Sequence, residues 1–319
     1  MIAQWLAYAI LLAFWLCLIS LLGERALRLL GRSARFIWVS ALIMSALLPI
    51  GVAIVSASTG TVGHAGDLFG MGAASRTPWL LAFDRVLLLA WFAASVILAL
   101  VVLQARRSLR HASRNWRPAQ LHGASVMLSH DFGPGVIVLG RPRIVLPGWA
   151  LDLDAAVREL LVRHECEHLR ARDHWLILLG LGLLVLFPFN PMLWWQVARL
   201  KLAIEMDCDA RVLSGRQNVR AYAALLLDVG ERSRTGRFAF AAFAAPPHAI
   251  ERRIRMMLNP KSKRWPVAVV LSAAGAVAIG VLACQTPEPE SPEAAIRAAI
   301  GIADEPPLTS KSRDVLELQ

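Results

Sequence analysis

The chain has 319 residues, 56% of them hydrophobic, with eleven tryptophans and a mean hydropathy of +0.52. Ordinary soluble domains are about 45–50% apolar, so this composition excludes a wholly soluble protein and predicts one embedded in a membrane. The net charge of +11 would suit a nucleic-acid binder, but the basic residues lie beside apolar runs, as in cytoplasmic loops, so no direct nucleic-acid contact is expected.

In chain order, Ile2–Leu22 is an apolar run broken only by Gln4, long enough to span a bilayer. Arg25, Arg28, Arg32 and Arg35 follow against the single acid Glu24, which marks a cytoplasmic loop. The same cluster opposes export, so the run reads as a retained span with an external N-terminus and not as a cleaved signal peptide. Phe36–Ser56 is the second span, its Pro49 tolerated because neighbouring groups in a membrane bundle re-satisfy the freed carbonyl. Ala57–Pro78 is rich in Gly and Ser and reads as an external loop, and Trp79–Leu103 returns inward as the third span. Asp84 and Arg85, near its outer end, are expected to pair or to reach headgroups.

Gln104–His174 carries eleven arginines against seven acids and is predicted to be cytoplasmic. The β-prone runs Ser125–Ser129, Val136–Leu139 and Arg143–Leu146, punctuated by Gly133-Pro134-Gly135 and Pro142, predict a small hairpin-like sheet. An exposed edge there can hold an extended substrate by strand addition, or the sheet simply packs on the next helix. That helix, Leu153–Arg172, contains His164-Glu165-Cys166-Glu167-His168. Histidines four apart project from one helical face and can hold one zinc ion, with Glu165 beside them to polarise a bound water. The plainer alternative is an amphipathic helix with partly buried histidines.

Trp175–Phe187 is apolar but only thirteen residues long, short of the roughly twenty a crossing needs, and it ends in Phe187-Pro188-Phe189-Asn190-Pro191. Met192–Ile204 continues apolar, so 175–204 reads as a re-entrant or interfacial hairpin. Next comes Glu205-Met206-Asp207-Cys208-Asp209, in which Glu205 and Asp209 share a helical face while Asp207 points elsewhere. One of the two can complete a metal site and the other orient a histidine. Cys166 and Cys208 read as small packing residues, and the four cysteines have no framework spacing, so no structural disulfide is expected. His174, Arg211, Tyr222 and His248 are candidates for stabilising an oxyanion. Arg211–Arg264 holds twelve basic residues and three acids, with helical patterns at Tyr222–Val229 and Ile250–Leu258. Pro266–Leu282 is the fourth span, and the Pro-rich, acidic tail is expected outside and disordered. Cys284 follows a weak lipobox-like triplet and reads as an ordinary membrane-end cysteine.

The fold class is therefore mainly α, a polytopic helical protein of the cell (inner) membrane with four spans. Its parts are a three-helix membrane region over 1–103, a cytoplasmic domain with the small sheet and hairpin over 104–264, a fourth span over 265–283 and an external tail over 284–319. Oligomeric state stays open, a homodimer included.

His164-Glu165-x-x-His168 followed by Arg170-x-Arg172-Asp173, Phe189-Asn190-Pro191-x-x-Trp194-Trp195 and Glu205-x-x-Cys208-Asp209, with Gly140-Arg141-Pro142-x-Ile144-Val145-Leu146-Pro147 upstream, resembles the BlaR/MecR-type membrane metallopeptidases of antibiotic sensing. The resemblance runs from about Leu80 to Leu282. It implies a gluzincin-type zinc endopeptidase with one Zn2+ per chain, ligated by His164, His168 and Glu205. Glu165 would be the catalytic base and Asp209 would support the ligands from behind. It also implies two protein substrates, a cytosolic transcriptional repressor and the chain itself, whose segment Arg232–Pro247 is the easiest to reach. Sensor members of that family carry an external penicillin-binding domain with an S-x-x-K serine; the sequence has no S-x-x-K, so direct β-lactam sensing is not expected. The rival readings are a non-catalytic membrane transducer with a structural metal and a quality-control protease of the HtpX type.

Overall fold

The computed structural model describes residues 2–59, 78–130, 132–214, 218–234, 247–258 and 265–284. It is mainly helical. Helices α1 (Ile2–Leu29), α2 (Arg35–Thr59) and α3 (Pro78–Ala112) precede a four-stranded sheet of β1 (Arg117–Leu121), β2 (Ala124–Ser129), β3 (Gly135–Val138) and β4 (Pro142–Pro147). Then come α4 (Ala155–Arg170), α5 (Asp173–Leu186), α6 (Pro191–Leu213), α7 (Val219–Arg234), α8 (Pro247–Leu258) and α9 (Trp265–Cys284).

Among the described residues, Ile2–Leu29, Arg35–Val52 and Ala82–Asn115 are long and apolar enough to cross a membrane. Asp173–Leu186 and Pro266–Gly280 are shorter apolar helices. The segments expected as spans are helical, three of them of spanning length, and α1 and α3 run past their apolar cores. Helix α1 continues to Leu29 because Glu24 and Arg28 pair one turn apart, a favourable helical spacing. Helix α3 continues to Ala112 through a stretch free of Gly and Pro. The loop and tail expected at 60–77 and 285–319 lie outside the described residues, as does most of Arg232–Pro247.

Helix α6 packs against both α1 and α2. Trp38 and Leu42 of α2 form one core with Leu184 of α5 and Leu193 and Leu200 of α6. Gln196, Glu24 and Asp84, the buried polar side chains of this apolar bundle described next, are paired, as burial favours. Gln196 is fully buried and donates to the Ala13 carbonyl at 3.2 Å and to Ser45 Oγ at 2.9 Å. Glu24 accepts from Trp38 Nε1 at 2.9 Å and pairs with Arg28 and Arg199. Asp84 does pair, accepting from the backbone N–H of Ile2 at 3.1 Å and so capping the start of α1.

The sheet order is β1-β2-β4-β3. The β3–β4 and β1–β2 pairs are antiparallel, but β2 and β4 run parallel, so the sheet is mixed and larger than one hairpin. Gly133 makes the approach to β3 with φ +107°, and a Cβ there would lie 2.8 Å from the Val145 carbonyl oxygen. Val126, Ile144 and Leu146 of the sheet bury against Leu160 and Leu161 of α4, Val212 of α6 and Tyr222 and Leu225 of α7. This core holds α4 and α6, the two helices that carry the candidate ligands, side by side.

Helix α4 ends at Arg170, not Arg172. Arg172 adopts the left-handed conformation, φ 56° and ψ 32°, so the chain turns sharply and α5 starts at Asp173. Helices α5 and α6 form the expected helical hairpin. Its turn is built by Asn190, whose Oδ1 accepts from Met192 N at 3.0 Å and whose Nδ2 donates to the Ala9 carbonyl of α1 at 3.4 Å. Pro191 occupies the first turn of α6, where its missing N–H costs nothing.

Candidate metal centre

On α4 the four-residue spacing brings His164 and His168 onto one face, with their Nε2 atoms 3.1 Å apart. Glu205 enters from α6, its Oε2 3.5 Å from His164 Nε2 and its Oε1 3.6 Å from His168 Nε2. Donor atoms about 2.0–2.1 Å from a tetrahedral zinc lie roughly 3.3–3.4 Å from one another. The three separations bracket that figure.

The hydrogen bonds behind the rings fix what the Nε2 atoms present. Asp173 Oδ2 lies 2.9 Å from His168 Nδ1. A carboxylate only accepts, so Nδ1 carries the hydrogen and Nε2 the lone pair. For His164 the partner is Tyr222, whose hydroxyl oxygen lies 2.8 Å from Nδ1. That hydroxyl donates to Asp209 Oδ1 at 2.7 Å, so it accepts from Nδ1–H, and the His164 Nε2 also presents a lone pair. Two lone pairs and a carboxylate aimed at one point repel one another unless a cation lies between them. The donor set therefore fits a divalent metal.

The charge around the rings also favours a cation at this point, a part that ring protons play where no metal is bound. Burial disfavours the protonated rings, yet Cys208 and Glu205 push the His164 pKa up to about 10, and Asp173 with Cys208 and Glu205 push that of His168 up to about 11. Burial also opposes ionisation of Glu205, but Arg253 and the two histidines hold its carboxyl well below the usual range. Arg253 Nη1 lies 2.9 Å from Glu205 Oε2. Its Nε and Nη2 donate to Asp209 at 2.8 and 2.6 Å. Asp209 thus sits behind His164, 3.9 Å from Nδ1, and acts through Tyr222 without touching the ring itself.

Glu165 is 4% exposed, and burial raises its carboxyl pKa above the ordinary value. Cys208 belongs to a second grouping, since one donor atom each of His164, His168 and Cys208 lie within 4.8 Å of one another. Its Sγ is 3.3 Å from His164 Nδ1 and 3.4 Å from the His164 carbonyl oxygen, on the ring edge away from Glu205. Cys208 is fully buried and packs in the domain core.

The four oxyanion candidates fare differently. Tyr222 is fully buried with its hydroxyl committed to Asp209 and His164, and burial together with Asp209 raises its pKa, so it stays a neutral support. Arg211 pairs with Glu167 and Asp173, each at 3.3 Å. The His174 ring lies against Trp175. The side chain of His248 lies outside the described residues. The residues that sequence reasoning did not place in the site are Asp173 and Arg253. Asp173 follows His168 by five positions, off the helical face, and reaches it only because of the left-handed turn at Arg172. Arg253 lies 44 residues beyond Asp209, and no local pattern announces it.

A helical membrane domain joined to a His/His/carboxylate donor set is the layout of a membrane-associated metallopeptidase. Residues 4–257 match the family described as BlaR1 peptidase M56. That is most of the 319 residues, and the chain belongs to this family. No curated protein matches the chain.

Proposed function

We propose that the protein is a zinc endopeptidase of the gluzincin type, cleaving a cytosolic or juxtamembrane protein at the cytoplasmic membrane face. The observation that carries this is the convergence of His164 Nε2, His168 Nε2 and Glu205 at 3.1–3.6 Å, with the buried Glu165 adjacent on α4. His164, His168 and Glu205 would hold one zinc, leaving a fourth position open. When bound, zinc supplies Lewis acidity and lowers the pKa of a water in that position toward about 7. Glu165, its basicity raised by burial, accepts the proton of the attacking water and delivers it to the leaving amine. Tyr222, Asp209 and Asp173 hold the two imidazoles in the tautomer that presents Nε2. The site opens at the Glu205 side chain, which retains 32% of its exposure.

An extended substrate has a docking edge in β3, which is at the margin of the sheet and contacts α4 and α5. Strand addition there would lay a peptide backbone beside the ligand helix. The charge pattern supports a topology with four spans, an external N-terminus and tail, and a cytoplasmic site. Both ends of the hairpin carry site residues, Asp173 and Glu205, so the chain between them re-enters and returns on the same side. Family resemblance supports a transcriptional repressor and the chain's own 232–247 segment as substrates in a signalling pathway. A structural metal in a non-catalytic transducer is the second reading, favoured by the nearness of Cys208.

The test is expression of wild type and Glu165→Gln in the native host, with cytosolic and membrane proteomes compared for new termini. Glu165-dependent cuts in cytosolic or juxtamembrane segments are expected. Cuts confined to external segments refute the topology and the role together.

A further inference from the structure

The carboxylate that orients His168 is also held by a membrane helix. Asp173 Oδ1 accepts from Arg35 Nη1 at 2.6 Å, and Arg35 is the first residue of α2. Its other oxygen, Oδ2, holds His168 at 2.9 Å and is approached by Arg211 only at 3.3 Å. Asp173 is 2% exposed, so its short contacts are made away from competing water. A second contact joins the same junction to the ligand helix. Asp207, two residues past Glu205, accepts from Ser33 Oγ, from Ala34 N at 3.4 Å and from Arg35 N at 3.3 Å. It thereby caps α2, where the helix dipole favours a negative charge. Deeper in the bundle, Glu24 of α1 is tied to Trp38 of α2 and Arg199 of α6, so the three helices are linked on the membrane side as well.

We infer that the α1–α2 junction is a latch on the metal centre, with Arg35 as a positioning residue that acts through Asp173 on His168. The inference rests on the zinc-site reading above. With Arg35 in place, both Asp173 oxygens are fixed and His168 is held with Nε2 toward Glu205. Withdrawal of the junction by an ångström or two breaks the 2.6 Å pair. Asp173 is then free to turn toward Arg211, and His168 loses the acceptor that sets its ring. Asp207 makes the motion cooperative, because the junction cannot leave Asp173 without also uncapping from the helix that carries Glu205. A stimulus that shifts α1 and α2 in the bilayer therefore reaches the ligand set through contacts already present.

The experiment uses the full chain in lipid nanodiscs, loaded with zinc, and follows metal release to a fluorescent chelator. Loss of a partner behind a metal-bound histidine typically weakens binding by about 10–100-fold. Arg35→Ala should still take up one zinc per chain but release it about tenfold faster or more. Arg35→Lys, which can restore a single contact to Oδ1, should bring release most of the way back. In an Asp173→Asn background, Arg35→Ala should add little. Release from Arg35→Ala within about twofold of wild type, or an undiminished effect in the Asp173→Asn background, overturns the latch. Should Arg35→Ala fail to fold, Asp207→Asn tests the second contact with the same readout, and an unchanged release rate there overturns it too. A wild-type protein that retains no zinc defeats the zinc-site reading instead, so the two failures are distinct.

Discussion

Tyr222→Phe removes one oxygen from the site and little else. The ring is fully buried in the core between sheet, α4 and α6, and Phe fills the same volume, so packing is preserved. Asp209 keeps both bonds from Arg253, at 2.8 and 2.6 Å, and is not stripped of partners. What is lost is the acceptor for His164 Nδ1–H at 2.8 Å. A buried donor left without its partner costs about 1–3 kcal/mol. At about 1.4 kcal/mol per decade, that corresponds to roughly 5- to 150-fold weaker zinc binding. Cys208 Sγ, 3.3 Å from the same nitrogen, can accept weakly and places the effect in the lower half of that range. Competition against a chelator of known zinc affinity measures it, with thermal unfolding of the loaded protein as the folding control. Zinc affinity within about twofold of wild type, in a folded protein, would refute the claim that Tyr222 sets the His164 tautomer.

The two donor sets separate by substitution: Glu205→Ala should abolish stable zinc uptake while Cys208→Ser leaves it at one per chain, and the reverse pattern in metal analysis would move the ion to the Cys208 edge. Because His164 and His168 are held at about 10 and 11, protons compete with the metal well above neutrality. Zinc affinity should therefore keep rising by about tenfold per pH unit, for each proton displaced, between roughly pH 7.5 and 9. Levelling off near pH 7, as for ordinary imidazoles, would show that Cys208 and the neighbouring carboxylates do not hold those protons. Leu186, 59% exposed on the flank of the hairpin tip, reports depth. A nitroxide on Leu186→Cys should collide with oxygen dissolved in the bilayer in preference to a water-soluble nickel chelate, and the opposite preference would place the hairpin outside the membrane.

The legible part of this protein is the part written in short-range periodicity. His164 and His168 meet because a helix repeats every 3.6 residues, and Glu205 and Asp209 share a face for the same reason. The helix–turn–helix over 173–213 was readable from an apolar run followed by the Phe187-Pro188-Phe189-Asn190-Pro191 turn. Less was readable where two distant segments settle a contact. Asp209 was expected to support a histidine from behind, but that it does so through a tyrosine on another helix is a relay no spacing encodes. Strand β1 was missed because Arg117-Pro118-Ala119-Gln120-Leu121 is a polar edge with no alternation to betray it. The parallel pairing of β2 with β4 depends on a crossover around β3 that local turn signals do not specify. Asp173 was visible as part of a motif, but its use depends on a left-handed arginine, a conformation that costs about 1–2 kcal/mol and that sequence gives little reason to expect.

The hairpin also explains why a polar residue is kept in the middle of an apolar bundle. Helix α6 runs without a break from Pro191 at the turn to Leu213 beyond the site, so whatever fixes its register in the bundle fixes Glu205, Asp207 and Asp209 together. Gln196 is that fixture, since its amide bonds to Ala13 of α1 and to Ser45 of α2 at once, in a setting where an unmade hydrogen bond is costly. From Gln196 to Glu205 is nine residues, or about 14 Å of helix at 1.5 Å per residue. A slip of α6 by one residue would leave the amide unpaired and rotate Glu205 by about 100° away from the histidines. The apolar contacts of Leu193 and Leu200 tolerate sliding far better than this amide does, because they are non-directional. The polar pin in the bundle and the carboxylate in the site are therefore one device. The first sets the height and rotation at which the second meets His164 and His168, and the contacts of Arg35 and Asp207 tie the far end of that helix to the same pair of membrane helices.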